Sequence, residues 1–218
     1  MSTSHPSPAL FIAVEGPIGV GKTTLACLLQ PLFGAELLLE VFEENPFLAA
    51  FYSDRARYAF QTQLFFLLSR YRHQHAEVPA ALLKGPLVSD YIFAKDRLFA
   101  ELNLVGDELA LYESVHLALA ERVKVPDVVV YLRASLPTLM ARIAFRDRSY
   151  ERNMDRGYME TLSHAYDRFF AAYSACPVLE IDTTDLNFLV DAEAVTGVAA
   201  QVRVALAQGP LQARLPLE

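Results

Sequence analysis

The sequence has few of the features of secreted, membrane-bound or nucleic-acid-binding proteins. Its 218 residues include only two cysteines, Cys27 and Cys176, which lack metal or redox spacing and fit a reducing cytoplasm. The net charge is −7, which argues against a DNA or RNA partner. No apolar run is long enough to span a bilayer, and residues 1–8 lack the pattern of a signal peptide. We therefore expect a cytoplasmic protein that binds neither a membrane nor a nucleic-acid polymer.

What the chain does contain is apolar residues, which make up 53% of the sequence. This content and length suit one α/β domain with a sizeable core, and they leave some apolar surface for burial between subunits. We expect a loose leader over residues 1–8, a single domain over 9–208 and a tail over 209–218.

The segment 16–23 is the strongest local signal, because it has the form G-x-x-x-x-G-K-S/T. Glycines at these positions let backbone N–H groups turn inward and surround phosphate oxygens. Lys22 would bring charge to the outer phosphates, and the Thr23 hydroxyl could bind Mg²⁺. An apolar run over 9–14 precedes the segment and a good helix start follows it, which is the context that a phosphate-binding loop needs. A chance glycine-rich turn is the alternative.

Strand-like and helix-like segments alternate along the rest of the chain. Strands are predicted at 9–14, 36–41, 87–90, 128–132 and 178–181. Helices are predicted at 24–33, from 45, 54–75 with an end near Pro79, 91–104, 106–123, from 135 to about 148, 155–173 and 188–207. This order predicts a parallel five-stranded sheet with helices on both faces and ligands beyond the carboxyl ends of the strands.

Two carboxylates are predicted at those strand ends. Glu40 ends the second strand, where it could accept a proton from an attacking hydroxyl; the alternative is a solvated strand-end glutamate. Asp90 ends the third strand, where it could serve Mg²⁺ or act as a base; the alternative is a helix N-cap.

Two helical segments carry further candidate residues. Arg142 and Arg146 are four apart, a spacing that suits a phosphoryl-transfer site, although a solvated helix end has the same pattern. Gln63 and Arg70 lie two turns apart on an aromatic helix, so an amide and a guanidinium beside an apolar wall could bind a purine. A core helix with polar ends is the alternative there.

The order and spacing of these motifs resembles the deoxyribonucleoside kinases. The resemblance covers about residues 9–190. It rests on the phosphate loop, on Glu40 with Glu43-Glu44-Asn45-Pro46, on Tyr52, Gln63 and Arg70, on Ser89-Asp90-Tyr91, and on Arg142-x-x-x-Arg146-x-Arg148-x-x-Glu151. The Asp-Tyr pair is most similar to the bacterial purine branch, the deoxyguanosine and deoxyadenosine kinases. The fold implied is that of a P-loop kinase with an arginine-rich lid.

The resemblance also implies roles for individual residues. Residues expected to bind ATP are Gly16, Pro17, Ile18, Gly19, Val20, Gly21, Lys22, Thr23, Thr24, Arg142 and Arg146. Residues expected to bind the nucleoside are Glu40, Tyr52, Gln63, Arg70, Tyr91, Asp96 and Glu151. The expected catalytic set is Lys22, Glu40, Asp90, Arg142, Arg146 and Arg148, and the expected metal ligands are Thr23 and Asp90. Tyr52 and Glu151 match the pair that holds the 3′-hydroxyl, and Asp185-Leu186-Asn187 lies where the family has its donor-base loop.

One departure from the family pattern concerns charge. Tyr91 stands where most members have arginine, so one positive charge near the 5′ position of the nucleoside is missing.

The sequence thus predicts transfer of the γ-phosphoryl of ATP, with Mg²⁺, to the 5′-hydroxyl of a purine deoxynucleoside. Deoxyguanosine is favoured, deoxyadenosine is close behind, and the enzyme is expected to be a homodimer. One alternative is a nucleoside monophosphate kinase similar to thymidylate kinase, and another is a nucleotide-dependent switch that transfers nothing.

Overall fold

The computed structural model describes residues 9–121 and 123–207. The predicted leader over 1–8 and the predicted tail over 209–218 lie outside these residues.

The described chain contains a parallel sheet of five strands in the order β2-β3-β1-β4-β5. The strands are β1 (Phe11–Glu15), β2 (Glu36–Leu38), β3 (Leu87–Ser89), β4 (Val128–Arg133) and β5 (Val178–Asp182). Every residue of β1 is buried, and successive side chains of a strand point to opposite faces. Both faces of the sheet are therefore covered, as the near-continuous apolar runs in the sequence predict.

The helices of the described residues connect these strands. They are α1 (Lys22–Phe33), α2 (Leu48–Ser53), α3 (Arg55–Arg72), α4 (Val78–Leu82), α5 (Lys95–Asn103), α6 (Gly106–Ala120), α7 (Leu136–Arg146), α8 (Arg156–Ala172) and α9 (Ala192–Ala207). None of them, in the part of the chain that is described, has the length and apolar character needed to cross a membrane.

Three predicted boundaries are wrong in ways that matter for the site. β2 ends at Leu38, so Glu40 lies in the following loop instead of closing the strand. The helix expected to end near Pro79 continues through a π-helical turn (His73–Glu77) into α4, where Pro79 is the second residue. α5 begins at Lys95 and not at residue 91, so residues 91–94 form a connection beside the sheet edge.

Candidate active site

A cleft lies at the carboxyl edge of the sheet, and its atom-free space, part of it open to solvent, is about 830 Å³. The predicted site residues that line it are Ile18, Gly19, Lys22, Thr23, Glu40, Tyr52, Gln63, Arg70, Asp90, Arg146, Arg148 and Glu151. Those that do not line it are Gly16, Pro17, Val20, Gly21, Thr24, Tyr91, Asp96 and Arg142. Most of the predicted set, drawn from widely separated segments, therefore meets in one place.

The phosphate loop between β1 and α1 requires glycine at two positions. Gly16 has φ +150°, and a Cβ there would lie 2.2 Å from the carbonyl oxygen of Leu132. Gly19 has φ +82°, and a Cβ there would lie 2.8 Å from the Ile143 side chain. A side chain at either position would strain the loop and push it away from β4 or α7. The loop thus leads directly into the N-terminus of α1, where a phosphate is stabilised by the helix dipole.

Lys22 extends along this loop. Its Nζ donates hydrogen bonds to the carbonyl oxygens of Gly16, at 2.7 Å, and Pro17, at 3.1 Å. Burial lowers the pKa of Lys22 to about 8, and the nearby Lys95 adds to this effect. A phosphate at the loop would favour the charged form of this ammonium group.

Asp90 connects the phosphate loop to the loop after β2. Thr23 Oγ1 donates a hydrogen bond to Asp90 Oδ2 at 2.5 Å, and the backbone N–H of Glu40 donates to Oδ1 at 2.8 Å. The alternative of a helix N-cap is wrong, because the residue that precedes α5 is Ala94. A hydroxyl and a carboxylate in contact at the end of a phosphate loop suit Mg²⁺, which takes one or two protein oxygens together with phosphate oxygens.

Glu40 lies between two cations. Arg70 Nε donates to its Oε1 at 2.6 Å, and Lys95 Nζ donates to its Oε2 at 2.7 Å. Burial disfavours the charged form, but the two cations outweigh it and lower the pKa of Glu40 to about 2. The alternative of a solvated glutamate is therefore wrong. Glu40 is a fixed, ionised acceptor that faces the cleft.

The wall opposite the phosphate loop is aromatic and polar. The Arg70 guanidinium lies 4.8 Å from the centre of the Phe66 ring, and Gln63 is only 2% exposed. Among the residues described, the Gln63 amide oxygen has no hydrogen-bond partner. Buried amide oxygens are normally satisfied, so this one is available to a ligand. The alternative of an ordinary core helix does not explain it.

The arginine-rich segment 142–148 is the lid that the family resemblance implies. It meets the cleft through Arg146 and Arg148. Arg146 Nη2 donates to Glu151 Oε2 at 2.5 Å, and the Arg148 guanidinium lies 4.0 Å from the centre of the Phe42 ring. Tyr52 stacks on Tyr150 with ring centres 6.0 Å apart. Burial raises the pKa of the Tyr52 hydroxyl, which therefore stays neutral and can hydrogen-bond a sugar hydroxyl.

Three predicted site residues have their side chains elsewhere. Arg142 donates to the carbonyl oxygens of Val20, Thr183 and Leu186 at 3.2, 2.6 and 2.7 Å, so it fastens the 183–186 segment to the phosphate loop. The Tyr91 hydroxyl lies 3.0 Å from His73 Nδ1. Asp96 pairs with Arg70 from behind the cleft wall. Helical spacing places Arg142 and Arg146 on one side of α7, but the carbonyl groups beside α7 turn Arg142 away from the cleft.

Sequence reasoning missed two charged residues of the cleft region, Lys95 and Glu15. Lys95 lines the cleft and is 3% exposed, and Glu15 is fully buried at the end of β1. A signal existed for Glu15, because an ionisable residue directly after the apolar run of β1 is unusual for a buried strand. Lys95 is next to Asp96, the residue that the family resemblance assigns to nucleoside binding, and its local sequence carries no signal of its own.

Comparisons with known proteins agree with this geometry. A family model described as deoxynucleoside kinase matches residues 12–207. A deoxyguanosine kinase from Bacillus subtilis (strain 168) is 36% identical over 200 residues, which cover 89% of this chain and 97% of the relative. A deoxyadenosine/deoxycytidine kinase from the same organism is 29% identical over 210 residues, which cover 93% and 95%.

Among solved structures, a deoxyadenosine kinase from M. mycoides, described with products dCMP and a flexible dCDP bound, has the same fold. The TM-score is 0.76 at 23% identity, covering 89% of this chain and 100% of that chain. The α/β architecture and the kinase assignment predicted from the sequence are thereby confirmed. The chain belongs to the deoxynucleoside kinase family, whose members are ATP-dependent enzymes.

Proposed function

We propose that this kinase transfers the γ-phosphoryl of ATP to the 5′-hydroxyl of a purine deoxynucleoside, with deoxyguanosine favoured over deoxyadenosine, and serves nucleotide salvage. The observation that carries the purine preference is the pair of polar groups on the apolar wall. Gln63 and Arg70 both line the cleft, and the Gln63 amide oxygen has no hydrogen-bond partner among the residues described. An amide can donate and accept along a purine edge, and a guanidinium suits the O6 and N7 acceptors of guanine.

The sugar fits between this wall and the lid. Tyr52 and Glu151 line the cleft on the side of the lid, and we assign them to the 3′-hydroxyl. A nucleoside held at its base by Gln63 and at its sugar by this pair would direct its 5′-hydroxyl toward Glu40 and the phosphate loop. Relatives described as deoxyguanosine and deoxyadenosine kinases support this choice of acceptor.

In the reaction, a bond forms between the 5′-oxygen and the γ-phosphorus while the bond from that phosphorus to ADP breaks. The electron pair of the broken bond leaves with ADP, and the hydroxyl proton passes to the Glu40 carboxylate and then to solvent. A carboxylate with a pKa of about 2 is a weak base, so Glu40 orients the hydroxyl first and accepts the proton late. That order fits a loose transition state, in which positioning and charge neutralisation dominate.

Mg²⁺ fits the contact between Thr23 and Asp90, and we assign these two residues as its protein ligands. When bound, the ion would neutralise charge on the phosphate oxygens. Thr23 and Asp90 themselves fix the distance between the phosphate loop and the loop that carries Glu40.

We also propose that the enzyme is a homodimer. Tyr112 is the one buried residue of α6. The apolar side chains of Leu111 and Leu117 on the same helix are 55% and 72% exposed. Apolar residues on a helix of this composition favour an interface between subunits. Sedimentation of the wild type and of Leu117→Asp would test this proposal, since only an interface residue should change the mass of the particle.

The test of the function is an ADP-release assay with one donor, ATP, and a panel of acceptors. Deoxyguanosine should give the highest kcat/KM and deoxyadenosine the next, with pyrimidine deoxynucleosides lower. Stimulation only by a nucleoside monophosphate would replace the proposal with a monophosphate kinase, and no stimulation by any acceptor would point to a switch. For substitutions of the cleft carboxylates, Glu44→Gln is a suitable control variant. Glu44 is exposed and pairs only weakly with Arg72, at 3.9 Å.

A further inference from the structure

Lys95 has a position in the cleft that its sequence context does not explain. It is the first residue of α5, yet its side chain is 3% exposed and turns toward the phosphate side of the cleft. A buried lysine is costly unless its ammonium group has partners. Lys95 Nζ donates to Glu40 Oε2 at 2.7 Å and lies 3.7 Å from Glu15 Oε2.

Glu15 holds this ammonium group from behind. Its carboxylate accepts hydrogen bonds from the backbone N–H groups of Gly16, at 2.8 Å, and Ile92, at 3.0 Å. It also accepts one from the Tyr166 hydroxyl at 3.0 Å. Three donors on one fully buried carboxylate fix its position. Lys95 is thus held at a defined place between the phosphate loop and Glu40.

The surroundings of Lys95 contain a second ammonium group, that of Lys22. Both ammonium groups belong to side chains that line the cleft. Two ammonium groups beside one cleft repel each other, and an anion bound between them makes the arrangement favourable. Lys22 belongs to the loop that would hold the donor, and Lys95 touches the carboxylate that would hold the acceptor hydroxyl.

We propose that Lys95 is a catalytic residue that binds the 5′-oxygen and the transferred phosphoryl group as it passes from ATP to the nucleoside, an inference that rests on the proposed function. Lys95 supplies, from the start of α5, the positive charge that the sequence lacks at Tyr91. An ammonium group has three donors, so it can hold Glu40 with one and a phosphoryl oxygen with another. The bonds formed and broken are those of the kinase reaction, and Lys95 forms no covalent bond in it.

The first experiment compares kcat and KM of the wild type with Lys95→Met, Lys95→Arg and the control Lys84→Met. Lys84 is exposed, and its one ion pair within residues 9–121 and 123–207 is with Glu36, at 3.7 Å. We expect Lys95→Met to lower kcat by about 10²-fold, the usual loss when one donor to transition-state charge is removed. Lys95→Arg should recover part of this loss, and Lys84→Met should match the wild type. A Lys95→Met variant with wild-type kcat would overturn the proposal.

A second experiment separates phosphoryl binding from support of Glu40. In a Glu40→Gln background, a lysine that only positions Glu40 would have nothing left to position, so Lys95→Met would cost no further activity. We expect a further loss of about 10-fold, because a charge-assisted hydrogen bond to the phosphoryl group would still be removed. No further loss in that background would overturn the proposal.

A third measurement is independent of turnover and of folding losses. Binding of deoxyguanosine and of its 5′-monophosphate to Lys95→Met is compared by calorimetry. We expect nucleoside affinity to be nearly retained and monophosphate affinity to fall about 10-fold, since only the monophosphate carries the anion. An equal loss for both ligands would overturn the proposal. If instead the wild type phosphorylates no nucleoside at all, the proposed function fails, whatever Lys95 does.

Discussion

Arg146 donates two hydrogen bonds to one oxygen of Glu151, from Nη2 at 2.5 Å and from Nε at 3.2 Å. The other Glu151 oxygen lies 3.8 Å from Arg148, and the Glu151 side chain is only 4% exposed. Glu151 is also the carboxylate assigned to the sugar 3′-hydroxyl. On that assignment the same side chain would meet the acceptor sugar and the lid arginines, and we expect sugar binding and lid position to be coupled.

The coupling predicts that Glu151→Gln affects turnover as well as sugar binding. We expect kcat/KM for deoxyguanosine to fall about 10- to 100-fold, because a neutral amide replaces the carboxylate that accepts from Arg146 and lies 3.8 Å from Arg148. The dideoxynucleoside without a 3′-hydroxyl should lose activity with the wild type and lose less with the variant. Glu160→Gln, an exposed position on α8, is the control. If removal of the 3′-hydroxyl lowers the activity of the wild type and of Glu151→Gln by the same factor, sugar binding and lid position are independent.

Glu40→Gln should separate chemistry from binding. The amide keeps the shape but cannot accept the proton, so we expect kcat to fall by about 10²- to 10⁴-fold, the usual range for general-base help. Deoxyguanosine binding, measured by calorimetry, should survive, because Gln63 and the sugar contacts remain. Unchanged turnover would remove Glu40 from the proton-accepting role and leave Asp90 as the candidate. Glu44→Gln, with its exposed carboxylate, should behave as the wild type.

Arg142→Ala and Arg146→Ala should differ in kind, although the two residues are one turn apart. Arg142 holds backbone carbonyl groups, so its removal should lower the free energy of unfolding by about 2 kcal/mol and raise KM for ATP. Arg146 faces the cleft, so its removal should lower kcat, and it should also cost stability because the buried Glu151 carboxylate loses its hydrogen-bonded partner. Thermal unfolding and steady-state kinetics measure both effects. A purely kinetic defect in Arg142→Ala, with an unchanged Tm, would contradict this division.

The fold and much of the site could be predicted because their signals are local. The phosphate loop needs glycines at fixed positions, and Gly16 and Gly19 adopt the positive φ values that the motif requires. Buried parallel strands need apolar runs, and β4 (Val128–Arg133) forms from one such run, residues 128–132. Gln63 is predicted from its helical spacing with Arg70, and Glu151 from the family resemblance; both line the cleft.

The rest depends on partners far apart in the chain. Nothing near Lys95 indicates that Glu15 will hold its ammonium group, because the pairing exists only once β1 and α5 meet at the sheet edge. Helical spacing predicts that Arg142 and Arg146 share a face, but it does not predict that the carbonyl groups of Thr183 and Leu186 will take one guanidinium away from the cleft. Likewise Tyr91 turns to His73, where its hydroxyl has a partner at 3.0 Å.

The lowered pKa of Lys22 predicts a pH dependence of ATP binding. Burial, reinforced by Lys95, lowers this pKa from 10.5 to about 8, while Glu15, Glu40 and Asp90 oppose the shift. Above about pH 8 the ATP-free enzyme loses the Lys22 charge, so the Kd for ATP should rise by about 10-fold per pH unit. Bound phosphates favour the charged lysine, so kcat at saturating ATP should stay level to a higher pH than kcat/KM.

The effect on stability has the opposite sign. Between about pH 8 and the ordinary lysine value the unfolded chain binds more protons at this position than the folded one, so the contribution of Lys22 to the free energy of unfolding rises with pH. Calorimetric titration with ATP from about pH 7 to about pH 10 measures the first effect, and thermal unfolding over the same range measures the second. Lys22→Arg, whose guanidinium stays charged, should remove the alkaline rise in Kd. A wild-type Kd for ATP that stays level to about pH 10 would mean that Lys22 is fully charged over this range even without ATP. Burial and the neighbouring Lys95 would then lower the Lys22 pKa less than the structure indicates.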